Sequence, residues 1–507
     1  MPSHARQPRF ARFRMTEIEL KFQVPADARA AVRRAVATPT AETVRLHARY
    51  FDTADRRLAS AGVALRLRQE GTAWVQTLKT RGDGVMERGE HEVALPRSRG
   101  IPAIDPSRHA GTPAGAGLRQ ALGADADGLR EIFATDIRRT RRRARTAGLL
   151  VEVALDEGEI RAGGQRVPVC EVEFELLRGA PGALPGFASK WVERHGIWLD
   201  PRSKAEIGDR LARHAAAVPV KAQVPRLHGA MSGDDAYRAL LASALDQVLR
   251  NACELADGSR DAEHLHQCRV GMRRLRCALR DFAALASTPP DAAALRRRIG
   301  TVFQRLGGAR DRDALREGLL PHLVAAGAPI ADLPPAVDEG EDAGAVLRDR
   351  AANRLWLDLL AAIHSAAAVS TGLDTPPLKE RLGAILRRLH RQIADDAPLY
   401  SALDEAARHR TRKRLKRLRY GAEFCASLYP PKAVARFLDL LRPGQDALGE
   451  ANDLVVARAM FEAQVAADPR AWFVLGWLAA RGPVVTARCA EALARIAGAR
   501  GFWSHRR

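Results

Sequence analysis

The hydrophobic period of this 507-residue chain changes once, from about 2 to about 3.6 residues, and that change constrains the fold more than any other feature. From residue 15 to about 177, apolar and polar side chains alternate over 17–24 and through HARYFDT, GVALRLRQE, WVQTLKT, RGEHEVAL, IFATDIRRTRRRA, GLLVEVALDEGEI and VPVCEVEFELL. These runs predict about eight strands, joined by turns such as TRGDG and DEGE, with helices within 27–37, around 114–122 and over 186–195. From about 234 to 498 the chain is rich in Ala, Leu and Arg at helical spacing. The expected organisation is a basic leader (1–14), a β domain (15–215), a Pro-, Gly- and Ser-containing linker (216–230) and a helical domain (231–507). A loop at APIADLPPAVDEGEDAG, near 328–345, divides the helical part in two.

Charge narrows the partners. A formal net charge of +21 and an isoelectric point of about 10.6 imply attraction to nucleic acid, polyphosphate or an anionic membrane surface. Nine of the basic residues are Lys and 72 are Arg, so each lysine is an uncommon choice. Six scattered cysteines form neither a C-x-x-C pair nor a zinc-ligand pattern, which suits a reducing cytosol. Residues 1–14 are basic but lack the apolar core of a signal peptide, and no stretch approaches the roughly 18 consecutive apolar residues of a membrane span. Met15 directly precedes the first patterned strand and is the expected start; residues 1–14 are then either untranslated or a disordered basic arm.

Alternation puts Glu17, Glu19 and Lys21 on one face of the first strand; Arg66, Arg68 and Glu70 share a face, as do Thr77 with Lys79 and Arg88, Glu90 and Glu92. Glu152 with Asp156, and Glu171, Glu173 and Glu175, follow the same rule. One solvated sheet face would explain each strand alone. It does not explain why the end strands are acidic and the middle ones basic. About eight strands can close a barrel, and inward-facing charges would line a polar tunnel with a cation-binding wall and a phosphate-binding wall.

These motifs resemble the CYTH, or triphosphate tunnel metalloenzyme, superfamily: EIELK at 17, YFDT at 50, LRLR at 65, TLK at 77, EVALDEG at 152, CEVEFEL at 170 and RSKAEIG at 202, in order over 15 to about 212. The resemblance implies an eight-stranded antiparallel tunnel that hydrolyses a triphosphate with Mg²⁺ or Mn²⁺. It implies metal-side roles for Glu17, Glu19, Asp156, Glu171 and Glu173, with Glu17, Glu19 and Lys21 catalytic. Phosphate would be held by Lys21, Arg66, Arg68, Lys79, one of Arg138 and Arg139 (carried forward as Arg139) and Lys204. Three of the nine lysines fall at these positions, where a compact ammonium suits a narrow tunnel. Neither a Ser/His/Asp or Cys/His nucleophile nor a G-x-x-x-x-G-K-[ST] loop is present.

The helical half contains a repeat. HQCRVGMRRLRCALRDF at 266–282 aligns with HRTRKRLKRLRYGAEFC at 409–425, and each is followed, about forty residues on, by a related expected turn, LGGARDRD at 306 and LGEANDLV at 448. His266, Arg269, Arg273 and Arg276 form one helical stripe; His409, Arg412, Lys416 and Arg419 form its counterpart, with Arg274, Lys413 and Arg417 adding charge. Only Tyr420 and Phe424 lie beside a stripe, so a polyanion without bases is favoured over nucleic acid. This half, roughly 230–507, resembles the CHAD domain, which implies binding of inorganic polyphosphate by all eleven of these residues and, through it, association with polyphosphate granules.

The expected fold is therefore an antiparallel β-barrel followed by an all-α bundle with an internal duplication. The expected function is metal-dependent hydrolysis of inorganic triphosphate with polyphosphate held by the bundle. Two rivals are an enzyme acting on an organic triphosphate such as thiamine triphosphate or ATP, for which Trp74 is the candidate stacking residue, and a polyphosphate-binding scaffold without turnover.

Overall fold

Each alternating run folds as a strand: β1 (Glu17–Gln23), β2 (Glu42–Asp52), β3 (Val63–Glu70), β4 (Ala73–Arg81), β5 (Glu87–Leu95), β6 (Arg130–Thr146), β7 (Leu149–Ala162) and β8 (Gln165–Arg178). The computed structural model describes residues 17–82, 84–98, 100–123, 128–146, 148–307, 312, 315–330, 332–334, 341–365 and 376–504; the basic leader and Met15 lie outside them. The strands pair antiparallel in the order β5-β4-β3-β2-β6-β7-β8-β1, and β1 pairs again with β5. The eight-stranded sheet is thus a closed barrel. A two-residue strand, β9 (Trp198–Leu199), adds to the free part of β1.

The outward face is apolar because helices cover it. Val151, Val153, Phe22 and Phe174 are buried there, and the Phe174 ring lies 5.5 Å from Phe187 and 5.3 Å from Trp191 of helix Leu184–His195. Around the wall, Leu65 and Leu78 pack on Leu118 and Leu122 of helix Pro113–Leu122. The alternate residues, mostly charged, are left to the interior.

One end of that interior is filled. Leu46, Tyr50, Phe133, Ile137 and Ile160 meet Ala205, Ile207 and Leu211 of helix Lys204–Arg213. A Cβ on Gly208 would lie 2.3 Å from the Phe133 ring, so only glycine lets the helix this close. A capping box starts the helix: the Ser203 hydroxyl accepts from the Glu206 amide, and the Glu206 carboxylate accepts from the Ser203 amide.

The DEGE run, expected as a turn, lies inside β7. Gly158 there passes the β6 backbone so closely that a Cβ would come within 2.0 Å of the Asp136 carbonyl oxygen. The hairpin is made instead by Gly163 and Gly164, with φ of +53° and +80°.

The chain divides into two compact units. Met1–Val220 takes in Leu249–Ser259 and Leu347–Ala366; Lys221–Val248, Arg260–Val346 and Ala367–Arg507 form the second. In the first, the Asn353 side chain accepts a 2.8 Å hydrogen bond from the Leu199 amide. The second is helical, and aspartates that accept amide hydrogen bonds start its helices Ala262–Asp281, Ala292–Arg305 and Glu405–Cys425. Its first residues are anchored, not loose: Gln223 accepts from Ser243, and the Leu227 amide donates to Ser427.

LGEANDLV does not turn. It continues helix Pro431–Glu462, because a lone glycine costs about 1 kcal/mol, too little to break a helix packed along its length. Most of LGGARDRD, and residues 331 and 335–340 of the expected break, lie outside the described residues; 332–334 and 341–342 are non-helical.

Candidate active site

Residues directly opposite one another in antiparallel strands share a face. Arg139, Asp156 and Glu171 form one such row across β6, β7 and β8, and Glu173 of β8 lies opposite Lys21 of β1. One carboxylate oxygen from each of Asp156, Glu171 and Glu173 falls within 4.8 Å of the others. Lys204, carried in by the first turn of its helix, lies 2.7 Å from Asp156 and 3.0 Å from Glu173, and also pairs with Glu171. Arg139 forks onto Asp156 at 2.6 and 2.7 Å and reaches Glu173 at 2.5 Å. Lys21 donates to Glu171 at 3.1 Å and to the Arg202 carbonyl.

A second cluster lines the other wall. Lys79 lies 2.9 Å from Glu17 and 3.2 Å from Glu90. Arg66 donates to the Tyr50 hydroxyl at 3.1 Å and lies 3.8 Å from Glu90. Arg68 pairs with Glu70 at 2.5 Å and Glu92 at 3.0 Å, while Glu19 pairs with Arg88 at 2.6 Å.

Burial and charge compete at every one of these groups. Burial raises the Asp156 and Glu173 carboxyls, but Arg139 and Lys204 outweigh it and hold both below the usual range. At Glu171, burial and the neighbouring Glu173 and Asp156 prevail over the two ammonium groups and push the carboxyl up. Burial also raises Glu17, yet Lys79 and a hydrogen bond from Glu90 bring it down to about 2; at Glu90, more deeply buried, burial prevails over Lys79 and pushes the carboxyl up. Burial opposes the Lys79 and Lys204 ammonium groups, but surrounding carboxylates lift both above the lysine range. The charge of Lys79 also lowers Glu173 and Tyr50, so the two clusters act on one interior.

All the expected tunnel residues are thus inside, although Glu17 and Glu19 lie with Lys79 and Arg88, outside the Asp156–Glu171–Glu173 triplet. Arg139 faces the interior, whereas Arg138 is exposed. Tyr50, Glu90 and Glu92 join the network without having been assigned roles; strand parity already marked the latter two. Trp74 is buried opposite Gln69 and Leu95, on the outward parity of Leu78, so it offers no stacking surface within the tunnel.

Three oxygen donors suit a hard divalent cation. Donors for phosphate are also spare: the buried Nε–H groups of Arg66 and Arg68 have no hydrogen-bond partner in the protein.

In the second unit, the stripes of helices Ala262–Asp281 and Glu405–Cys425 come together. Lys416 is half-buried among Arg412, Arg273 and Arg269, and loss of solvent followed by these charges outweighs the Asp453 carboxylate and lowers its ammonium to about 7. The Arg269 guanidinium donates to the Leu306 and Gly307 carbonyls at 3.1 and 3.0 Å and lies 4.5 Å from the Phe303 ring. Its counterpart Arg412 donates to Asn452 at 3.1 Å, so each helix ties to the segment about forty residues on. His266 is half-buried; Arg276, Lys413 and Arg419 are exposed, with Arg419 bonded to Glu423.

Arg274 and Arg417 are not on the surface stripe. Arg274 is 1% exposed, held by Gln247 and the Gln223 carbonyl and stacked 4.8 Å from Phe424; Arg417 donates to Asp281 at 2.8 Å. Both pack the helices together.

A closed antiparallel barrel with an ionic interior, followed by basic helices, defines the class. Residues 15–206 match the CYTH domain and residues 239–462 the CHAD domain, so the chain carries a CYTH domain followed by a CHAD domain. It is similar to an inorganic triphosphatase of Haemophilus influenzae, 33% identical over 165 residues, which are 31% of this chain and 44% of that protein. The match therefore spans less than half of that relative. A solved CHAD domain from the plant Ricinus communis is 27% identical, covering 56% of this chain and 99% of that one, with a TM-score of 0.43. A solved putative adenylyl cyclase from Hippeastrum, described as having a dominant triphosphatase activity, is 21% identical, covering 40% of this chain and 98% of that one, with a TM-score of 0.30. No helix among the described residues is long and apolar enough to cross a membrane.

Proposed function

We propose that the chain hydrolyses inorganic triphosphate with Mg²⁺ or Mn²⁺ inside the barrel, and binds inorganic polyphosphate along the facing basic helices. The observation that carries this reading is that six cations and a tight carboxylate triplet converge in one closed interior. There the opposite charges are each other's partners, so whatever binds must replace both sets. A metal–triphosphate complex does so: its phosphates take over Lys21, Arg66, Arg68, Lys79, Arg139 and Lys204, and its cation takes over Asp156, Glu171 and Glu173. When bound, the divalent cation supplies offsetting charge for the departing pyrophosphate. The side chains align the phosphate chain for attack by water, and the apolar contacts of helix Lys204–Arg213 keep bulk solvent from that end. Glu17 and Glu19 act through Lys79 and Arg88, which they orient.

The similarity to an inorganic triphosphatase and the outward position of Trp74 both favour an inorganic substrate over an organic one. Phosphate release by the full chain from tripolyphosphate, ATP and thiamine triphosphate, with Mg²⁺ or Mn²⁺, tests this. Tripolyphosphate should have the highest kcat/KM; preference for either organic substrate, or no turnover at all, overturns the reading. For the helices, polyphosphate should bind the wild type and lose affinity in the Arg273→Ala, Lys416→Ala variant.

A further inference from the structure

Lys204 and Lys21 meet the carboxylate triplet through one short segment, residues 200–206. Its Arg202 carbonyl accepts from Lys21, and its last turn carries Lys204. Arg202 is 5% exposed and forks onto Asp200 at 2.9 and 2.8 Å. What holds the segment from outside comes from residues 249–257 of the same unit, beyond the range matched by the CYTH domain. Glu254 uses both carboxylate oxygens: one accepts from Arg202 at 3.1 Å, the other from Arg210 at 2.6 Å. These arginines flank Lys204 on either side. Asp257 adds a second acceptor for Arg202 at 2.9 Å, and Arg250 donates to the capping-box residue Glu206 at 3.1 Å.

We infer that Glu254 is a positioning residue of the tunnel, gripping both shoulders of the Lys204 segment so that the ammonium is held at the phosphate-binding wall. This rests on the proposed triphosphatase reading. A carboxylate bridging two guanidinium groups fixes distance and direction together, and a cation displaced by about 1 Å from its phosphate loses much of its effect.

The test is a double-mutant cycle in the full chain with tripolyphosphate. Glu254→Ala and the gentler Glu254→Gln should each raise KM about tenfold, with a smaller change in kcat. In the Lys204→Ala background the same substitutions should have a much smaller effect, because only the Lys21 contact to the Arg202 carbonyl is then left for the segment to position. Losses that simply add in the two backgrounds, or Glu254→Ala and Glu254→Gln enzymes matching an active wild type, overturn the inference alone. If turnover of Lys204→Ala is too slow to follow, calorimetric binding of tripolyphosphate is read through the same cycle. A wild type that neither hydrolyses nor binds tripolyphosphate overturns the functional reading as well.

Discussion

Lys204 in the barrel and Lys416 in the helical unit are both withdrawn from solvent, yet their environments act in opposite directions. Three carboxylates surround Lys204 and, against burial, raise its pKa; at Lys416 burial and then three guanidinium groups prevail over the Asp453 carboxylate and lower it to about 7. The first interior pairs its cations with carboxylates. The second sets three guanidinium groups against the single carboxylate of Asp453. Net charge of +21 therefore says little about the tunnel, whose ions are paired, and much about the helices.

Removing carboxylates should separate the two regions most sharply. Asp156→Asn with Glu173→Gln should lower tripolyphosphate turnover by about 10²- to 10³-fold, as should chelation of the divalent cation, while polyphosphate affinity stays unchanged. Equal loss in both assays would show that the regions are not independent sites.

Lys204→Ala should reduce kcat/KM by about 10²-fold and cost about 3–5 kcal/mol of stability, because it leaves buried carboxylates without their common partner. Added Mg²⁺ should raise Tm more in this variant than in the wild type, since the cation then takes the place of the ammonium. A Tm insensitive to Mg²⁺ in both proteins would remove the triplet as the metal site.

Lys416 sharpens the comparison through pH. Its folded pKa is depressed, so between about 7 and the usual lysine value the unfolded chain binds more protons, and stability rises with pH across that window. A polyanion bound as proposed would restore the proton. Polyphosphate affinity should therefore be greatest below pH 7 and fall by up to about tenfold per unit above it, a dependence that Lys416→Met abolishes. Binding isotherms from pH 6 to 8 check this; a flat profile for the wild type would take Lys416 out of the binding surface. Lys79 and Lys204, raised by their carboxylates, stay charged throughout.

Strand parity made nearly the whole tunnel lining legible, because alternation sorts each strand into two faces. It could not say which face was inside; that follows from closure of the sheet by β1 pairing with both β8 and β5, together with the helices packed on the apolar face. The DEGE run has the composition of a turn, while the deciding feature, close passage of Gly158 by the Asp136 carbonyl, belongs to the neighbouring strand. Arg274 and Arg417 look like their stripe neighbours, since the acceptors that hold them inside, at Gln223, Gln247 and Asp281, lie elsewhere in sequence or on another face. Glu254 had no signal at all. An isolated acid on a helix becomes notable only when two arginines from 202 and 210 converge on it.

The smallest expected effect tests the finest distinction, between adjacent arginines of β6. The run RRTRRR makes both faces of that strand basic, so parity alone cannot separate Arg138 from Arg139. The pairings do: Arg139 lies opposite Asp156 on the inside, while Arg138 lies opposite Arg45 and Glu157 on the exposed side. Like charges directly opposite on antiparallel strands repel, and a surface substitution away from any network shifts stability by less than about 0.5 kcal/mol. Arg138→Ala should thus leave kcat/KM for tripolyphosphate within about twofold and Tm unchanged or slightly higher. Arg139→Ala, in contrast, strips Asp156 and Glu173 of a shared partner and should cost both activity and stability. Comparable losses in the two variants would mean that the charged face of β6 has been assigned to the wrong side of the barrel wall.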